Sequence, residues 1–129
     1  MPRYTDRRVL ITGGGSGIGQ ACVIRILAEG GTVVAADISA GGLADTRARA
    51  GAEAGMLSTV EMDVGDEESV KTGVRWAVDT LGGLDTLVNV AGILRSAHFA
   101  ETSLADFEQV LRVNLVGTFL VTREAIPAL

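Results

Sequence analysis

Residues 9–19 read Val-Leu-Ile-Thr-Gly-Gly-Gly-Ser-Gly-Ile-Gly. The run from Val9 to Thr12 is short, apolar and β-branched, which predicts a buried strand. It passes directly into a loop made almost wholly of glycine. Beyond the loop, Ile18, Cys22 and Ile26, together with Ala21, Arg25 and Ala28, recur at helical spacing as far as Glu29. Gly30-Gly31 then supplies the left-handed residues that close a helix. A strand, a glycine turn and a helix in this order place free N–H groups and a positive helix end beside a backbone with no side chains.

The same alternation continues outward. Thr32 to Ile38 is a second Val- and Ala-rich strand, and residues 40–54 read as an exposed Ala- and Arg-rich helix closed by Gly55. Leu57 to Val64 predicts a third strand. Asp66, Glu67 and Glu68 open the next helix, where carboxylates complement the dipole. That helix turns Val70, Val74, Ala77, Val78 and Leu81 inward and ends at Gly82-Gly83. Asp85 to Val90 is a fourth strand ending in Ala91-Gly92. Ser103 with Asp106 three residues on reads as a capping pair, and helix is expected from there through Asn114 to Leu129. Four strands alternating with four helices predict an α/β fold: a doubly wound parallel sheet with right-handed crossovers and helices on both faces.

Composition narrows the function classes. A chain of 129 residues with 47% apolar side chains suits one packed domain. Sixteen acids against eleven bases, a net charge of -5, argue against nucleic acid and anionic membrane as partners. One cysteine, Cys22, and one histidine, His98, allow neither an internal disulfide nor a His/Cys metal cluster. Arg3, Arg7 and Arg8 precede an apolar stretch too short for a secretory signal, so the expected location is cytoplasmic. Cys22 and Trp76 read as packing residues, His98 as a surface loop residue, and Arg47 and Arg49 as solvated charges.

The chemistry lies in two places. Gly13, Gly15, Gly17 and Gly19, with Ser16 and Ile18, form a loop over which a pyrophosphate can approach the backbone and the helix start. The spacing is G-x-x-x-G-x-G, because Ile18 breaks the more general G-x-G-x-x-G. Asp37 stands 18 residues beyond Gly19, at the end of the second strand, where an acid reaches the adenosine ribose of a dinucleotide. A carboxylate there accepts from the ribose hydroxyls and repels a 2′-phosphate. Neither Ile38 nor Ser39 is basic, so NAD is expected rather than NADP.

These residues resemble the short-chain dehydrogenase/reductase family over the whole chain. The segment from Thr12 to Gly19 is similar to its T-G-x-x-x-G-x-G motif. Asp63-Val64 resembles its D-V pair, whose acid bonds the adenine amino group. Asn89-Val90-Ala91-Gly92 is similar to its N-N-A-G motif with Val for the second Asn. Asn114 resembles the helix Asn that holds a water in the family's proton relay. The resemblance implies a Rossmann fold with strand order 3-2-1-4. The cofactor site it implies comprises Gly13, Gly15, Ser16, Gly17, Ile18, Gly19, Asp37, Ile38, Asp63, Val64, Asn89, Ala91 and Gly92, with Asn114 the one catalytic residue. The implied activity is NAD(P)-dependent interconversion of a small-molecule alcohol and a carbonyl.

One departure is large. Family members are about twice as long and carry a catalytic Ser and a Tyr-x-x-x-Lys pair in their second half. Here the only tyrosine, Tyr4, is followed at the fourth position by Arg8, and the only lysine is Lys71. Residues 1–129 are therefore expected to be the cofactor-binding half-domain, cut within its last helix and inactive alone. Its fourth strand and last helix would lack neighbours, so homo-oligomerisation or aggregation is expected. The competing readings are a non-catalytic dinucleotide-binding or oligomerisation module, and an S-adenosylmethionine-dependent methyltransferase. Asn89 and Asn114 at family spacing speak against the latter.

Overall fold

The computed structural model describes residues 2–129. Its sheet is built from β1 (Arg8–Thr12), β2 (Thr32–Asp37), β3 (Leu57–Glu61) and β4 (Thr86–Asn89). All pairings are parallel, in the order β3-β2-β1-β4. Four helical regions cover the two faces: α1 (Gly17–Ala28), α2 (Ala40–Ala50), α3 (Glu67–Leu81), and a long region comprising α4 (Leu104–Leu111) and α5 (Thr118–Ala125). The α/β, doubly wound Rossmann expectation and its 3-2-1-4 strand order are borne out.

Strand alternation divides the core in two. Val9, Ile11, Val33 and Ala35 point to one face and pack with Val23, Ile26 and Leu27 of α1 and Leu43 and Ala50 of α2. Leu10, Val34 and Ala36 point to the other and pack with Val70, Val74 and Ala77 of α3 and Leu120, Val121 and Ala125 of α5. Both faces of β1 and β2 are thus covered, which is why these strands read as unbroken apolar runs.

Several local expectations shift. The buried stripe of α1 runs through Gly19, Val23, Ile26 and Leu27, not Ile18, and Ile18 stands exposed over the sheet end. Cys22 is half-buried beside the α1 core, whereas Trp76 is exposed. The helix from 40 stops at Ala50, where Gly51 takes φ +56, and residues Gly51–Met56 tighten into 3₁₀ turns. β3 ends at Glu61 rather than Val64. The last helix is not continuous: Arg112–Gly117 widens into π-helical turns. Gly117 lies there against Val64, and a Cβ on it would come within 2.8 Å of Val64 Cγ2. The helix passes into 3₁₀ turns at Ile126–Ala128, which contain Pro127.

The expected caps are present. Asp66 accepts from Glu68 N–H, and Ser103 accepts from Asp106 N–H. Among the described residues β4 pairs only with β1, and its other edge is open. Leu104, Phe107, Leu111, Leu115 and Phe119, three or four residues apart, are exposed and form an apolar row along the last helical region, with Phe107, Leu115 and Phe119 at 53%, 63% and 57%. No helix among the described residues is long and apolar enough to cross a membrane.

Candidate functional site

The carboxyl ends of β1, β2 and β4 meet at a cleft of about 560 Å³. From β1 the chain winds toward β2 and β3, then crosses back to β4 on the far side of β1. Connections leaving neighbouring strands in opposite directions open a crevice at that point.

Glycine is required where backbone meets backbone. Gly13 takes φ +69, and a Cβ on it would lie 2.8 Å from Ala91 N. A Cβ on Gly19 would run into the Gly13 carbonyl oxygen. Gly17, at φ +53, differs: nothing lies within 4 Å of its Cβ position, which opens into the cleft. The buried Thr12 hydroxyl accepts from the N–H groups of Val90 (3.1 Å) and Ala91 (3.2 Å), so the end of β4 is held against the glycine loop.

α1 begins at this loop. Its N-cap Ser16 makes no side-chain capping bond, and its first turn contains no acid. The first-turn N–H groups and the positive dipole end therefore have no capping side chain or acid of this helix beside them. By contrast α3, which starts away from the loop, has its own acids in the first turn.

At the end of β2, Asp37 is held by two backbone donors. Gly15 N–H donates to Oδ2 and Ser39 N–H to Oδ1, each at 2.9 Å. Each carboxylate oxygen keeps further lone-pair capacity. Beyond β3, Asp63 Oδ1 accepts from Gly65 N–H at 2.9 Å, and Asp63 N–H donates to Ser69 Oγ.

Of the residues expected here, Gly13, Ser16, Gly17, Ile18, Gly19, Asp37, Ile38, Asp63, Val64, Ala91 and Gly92 line the cleft. Gly15 does not: it sits behind the Asp37 carboxylate, and a Cβ on it would be 2.9 Å from Asp37 Cγ. Asn89 also lies outside. Val88 and Val90 face the α1 side of the sheet and Leu87 the α5 side, so alternation turns Asn89 toward α5. There its Nδ2 donates to Thr122 Oγ1 at 3.1 Å.

Asn114 stands behind the wall of the cleft. Its Oδ1 accepts from Ile93 N–H (2.8 Å) and its Nδ2 donates to the Ile93 carbonyl (2.9 Å). The side chain therefore clamps the segment after β4 from within the π-helical turns, where one extra residue per turn re-aims side chains. Arg95 lines the cleft too, as do Ile93, Gln109 and Val113, three residues that no expectation covered. Ile93 is held there by that clamp. His98 is exposed and outside the cleft. Tyr4 packs beside the α1 core, and Lys71 pairs with Glu67 and Glu68 on α3, so neither reaches the site.

The strongest charge perturbations lie elsewhere. At the opposite end of β1, the Arg8 guanidinium and N–H donate to Asp85, holding its carboxyl down at about 2. Glu29 is likewise held at about 2, chiefly by its hydrogen bond from Arg3. Among the described residues, no three His, Cys, Asp or Glu side chains gather as a metal site.

Comparison with known proteins agrees with this geometry. A family model described as short chain dehydrogenase matches residues 7–129. Levodione reductase of Leifsonia aquatica is 40% identical over 122 residues, covering 92% of this chain and 45% of that protein. A 2-dehydro-3-deoxy-L-rhamnonate dehydrogenase (NAD(+)) from a Sphingomonas species is 35% identical over 126 residues, covering 97% and 49%. The crystal structure of a short-chain dehydrogenase/reductase from Brucella melitensis superposes with a TM-score of 0.91 at 32% identity, over 98% of this chain and 53% of the other. The chain spans about half the length of these proteins.

Proposed function

The chain belongs to the short-chain dehydrogenase family, and from that premise we propose that residues 1–129 form the cofactor-binding half-domain of an NAD-dependent oxidoreductase that interconverts a small-molecule alcohol and a carbonyl. The observation that carries the reading is the Asp37 carboxylate, lining the cleft and held by Gly15 and Ser39 N–H groups. A carboxylate at this strand end suits two ribose hydroxyls and repels a 2′-phosphate. No basic side chain stands at 38 or 39 to invert that preference. The Sphingomonas relative is named as an NAD(+) enzyme.

The remaining residues fit the same group. The open space over Gly17 and the uncapped start of α1 suit a pyrophosphate. Asp63 would take the adenine amino group, while Ile18, Ile38 and Val64 offer apolar surface beside it. Ala91 and Gly92 border the far half of the cleft, and Asn114 holds that wall through Ile93. The bound dinucleotide would donate or accept a hydride. An alkoxide made that way needs a proton, and a Tyr with its pKa lowered by a neighbouring Lys supplies one near neutral pH. Tyr4 and Lys71 do not form such a pair. These 129 residues therefore bind cofactor and do not turn over on their own. The second reading, a non-catalytic dinucleotide-binding or oligomerisation module, draws on that same missing pair.

The apolar row from Leu104 to Phe119 supports homo-oligomerisation. The low cysteine content supports a cytoplasmic location. The test is calorimetric titration with NADH and NADPH beside an assay with NAD and generic alcohols. The expected result is NADH bound at least about tenfold more tightly, an energy of about 1.4 kcal/mol, and no turnover. Equal or tighter NADPH binding would overturn the NAD assignment.

A further inference from the structure

Building on the dinucleotide reading above, we infer that Thr46 of α2, supported by Gln20 of α1, is a positioning residue for phosphate binding, setting the shape of the glycine loop from behind. α2 is otherwise a largely solvated helix, yet Thr46 is 0% exposed. Its Oγ1 lies 2.7 Å from the Gly14 carbonyl oxygen and 3.1 Å from that of Gly42. A hydroxyl has one proton to give, and the shorter contact takes it. Gln20 Nε2 donates to Thr46 Oγ1 at 3.0 Å and to Asp45 Oδ2 at 2.9 Å, with the Gly15 carbonyl 3.4 Å away.

The polar groups behind the loop are thereby accounted for. Gly14 N–H donates to the Ala36 carbonyl, Gly15 N–H to Asp37, and the Gly14 carbonyl accepts from Thr46. α2 approaches so closely that a Cβ on Gly42 would sit 2.8 Å from the Gly15 carbonyl oxygen. With the peptide planes at 13–15 held this way, the backbone of Ser16, Gly17 and Gly19 is left facing the cleft. Anion binding depends on those donors being aimed beforehand. Without the Thr46 hydroxyl, the buried Gly14 carbonyl loses its partner, and the loop must turn to satisfy it. The phosphate feels this most, because its donors lie in the loop, whereas the adenosine keeps Asp63 and the Asp37 oxygen held by Ser39 N–H.

The test compares ADP and adenosine, titrated by NMR into the full 129-residue chain and into Thr46→Val, Thr46→Ser and Gln20→Met. Thr46→Val, close in shape to threonine, should weaken ADP binding about tenfold and leave adenosine within about twofold of its original affinity. Thr46→Ser should restore ADP binding, and Gln20→Met, at a half-exposed position, should weaken ADP about threefold. A merely structural role would not separate the two ligands in folded protein. Unchanged ADP affinity in folded Thr46→Val overturns the inference, as does equal weakening of both ligands. If Thr46→Val does not fold, Gln20→Met decides, and unchanged ADP affinity there overturns it. Absence of ADP binding by the unaltered chain overturns this inference and the dinucleotide reading together, whereas equal binding by unaltered and Thr46→Val protein removes this inference alone.

Discussion

Gly15 N–H donates to Asp37 Oδ2 at 2.9 Å, joining the acid at the end of β2 to the glycine loop after β1. The two residues are 22 positions apart and meet because β1 and β2 are paired in parallel with Thr12 opposite Ala36. The bond points one carboxylate oxygen at the loop, while the other is held by Ser39 N–H. The acid is consequently set in orientation before any ligand arrives, which reduces the ordering cost of binding.

On the role proposed for Asp37, replacing it by Ala removes both acceptors for the ribose and the charge that repels a 2′-phosphate. NADH affinity should fall about tenfold or more, as for loss of a charged hydrogen-bonding group, and the NADH-to-NADPH ratio should move toward one. Calorimetric titration with both cofactors checks this. An unchanged ratio in a folded variant would count against the proposed role of Asp37.

Gly17 and Gly19 should fail in different ways. Gly17→Val places a branched side chain into the open cleft at φ +53, so NADH binding should fall at least tenfold by the arithmetic of about 1.4 kcal/mol per decade, with only the strain of that backbone angle added. Gly19→Ala drives a methyl into the Gly13 carbonyl; it should lower unfolding free energy by about 2–4 kcal/mol, as overpacking and backbone strain do. Urea unfolding and NADH titration of both variants distinguish the two effects.

Asp85 sets part of the acid limit of stability. Its folded carboxyl is held at about 2 by Arg8, below the unfolded value of about 3.9. A depressed carboxyl contributes stability that is complete above the unfolded pKa and is lost as pH falls through the folded one. Glu29 behaves in the same sense. Thermal stability should therefore fall from about pH 4 down to about pH 2. The Tm gap between the unaltered protein and Asp85→Asn should be largest near neutrality and close over that window. A gap independent of pH would refute the ion-pair account.

Removing the Asn114 side chain frees the segment after β4. In Asn114→Ala the Ile93 amide loses its acceptor, and its hydrogen exchange should accelerate at least about tenfold, corresponding to one modest hydrogen bond. The amides of Val33 and Val34, deep in the sheet, should keep their protection. Equal acceleration at both places would mean that Asn114 acts on global stability instead.

Much of this was legible in the order of residues alone. Apolar runs punctuated by glycine and separated by helical periodicity specify parallel strands with crossovers, because side-chain period and glycine's backbone freedom act over a few residues. Gly13, Gly17, Gly19 and Asp37 were legible for the same reason: each sits at a strand end or turn, and the fold fixes where strand ends go; Asp63 was reached through the family resemblance. What depended on remote packing was not. Asn89 belongs to a recognisable motif, yet the face it occupies turns it to Thr122 rather than the cleft. The widening at Arg112–Gly117 is invisible in helical spacing and arises where Asn114 reaches Ile93 and Gly117 approaches Val64. Gln109, on a helix with no motif, lines the cleft only once α4 is packed there. Thr46 reads as one polar residue on a solvated helix until α2 is seated behind the loop and its hydroxyl meets the Gly14 carbonyl. Local chain chemistry thus determined the sheet and its glycine turn. The tertiary structure decided which side chains hold that turn in shape, because hydrogen bonds between segments far apart in sequence exist only once those segments are packed.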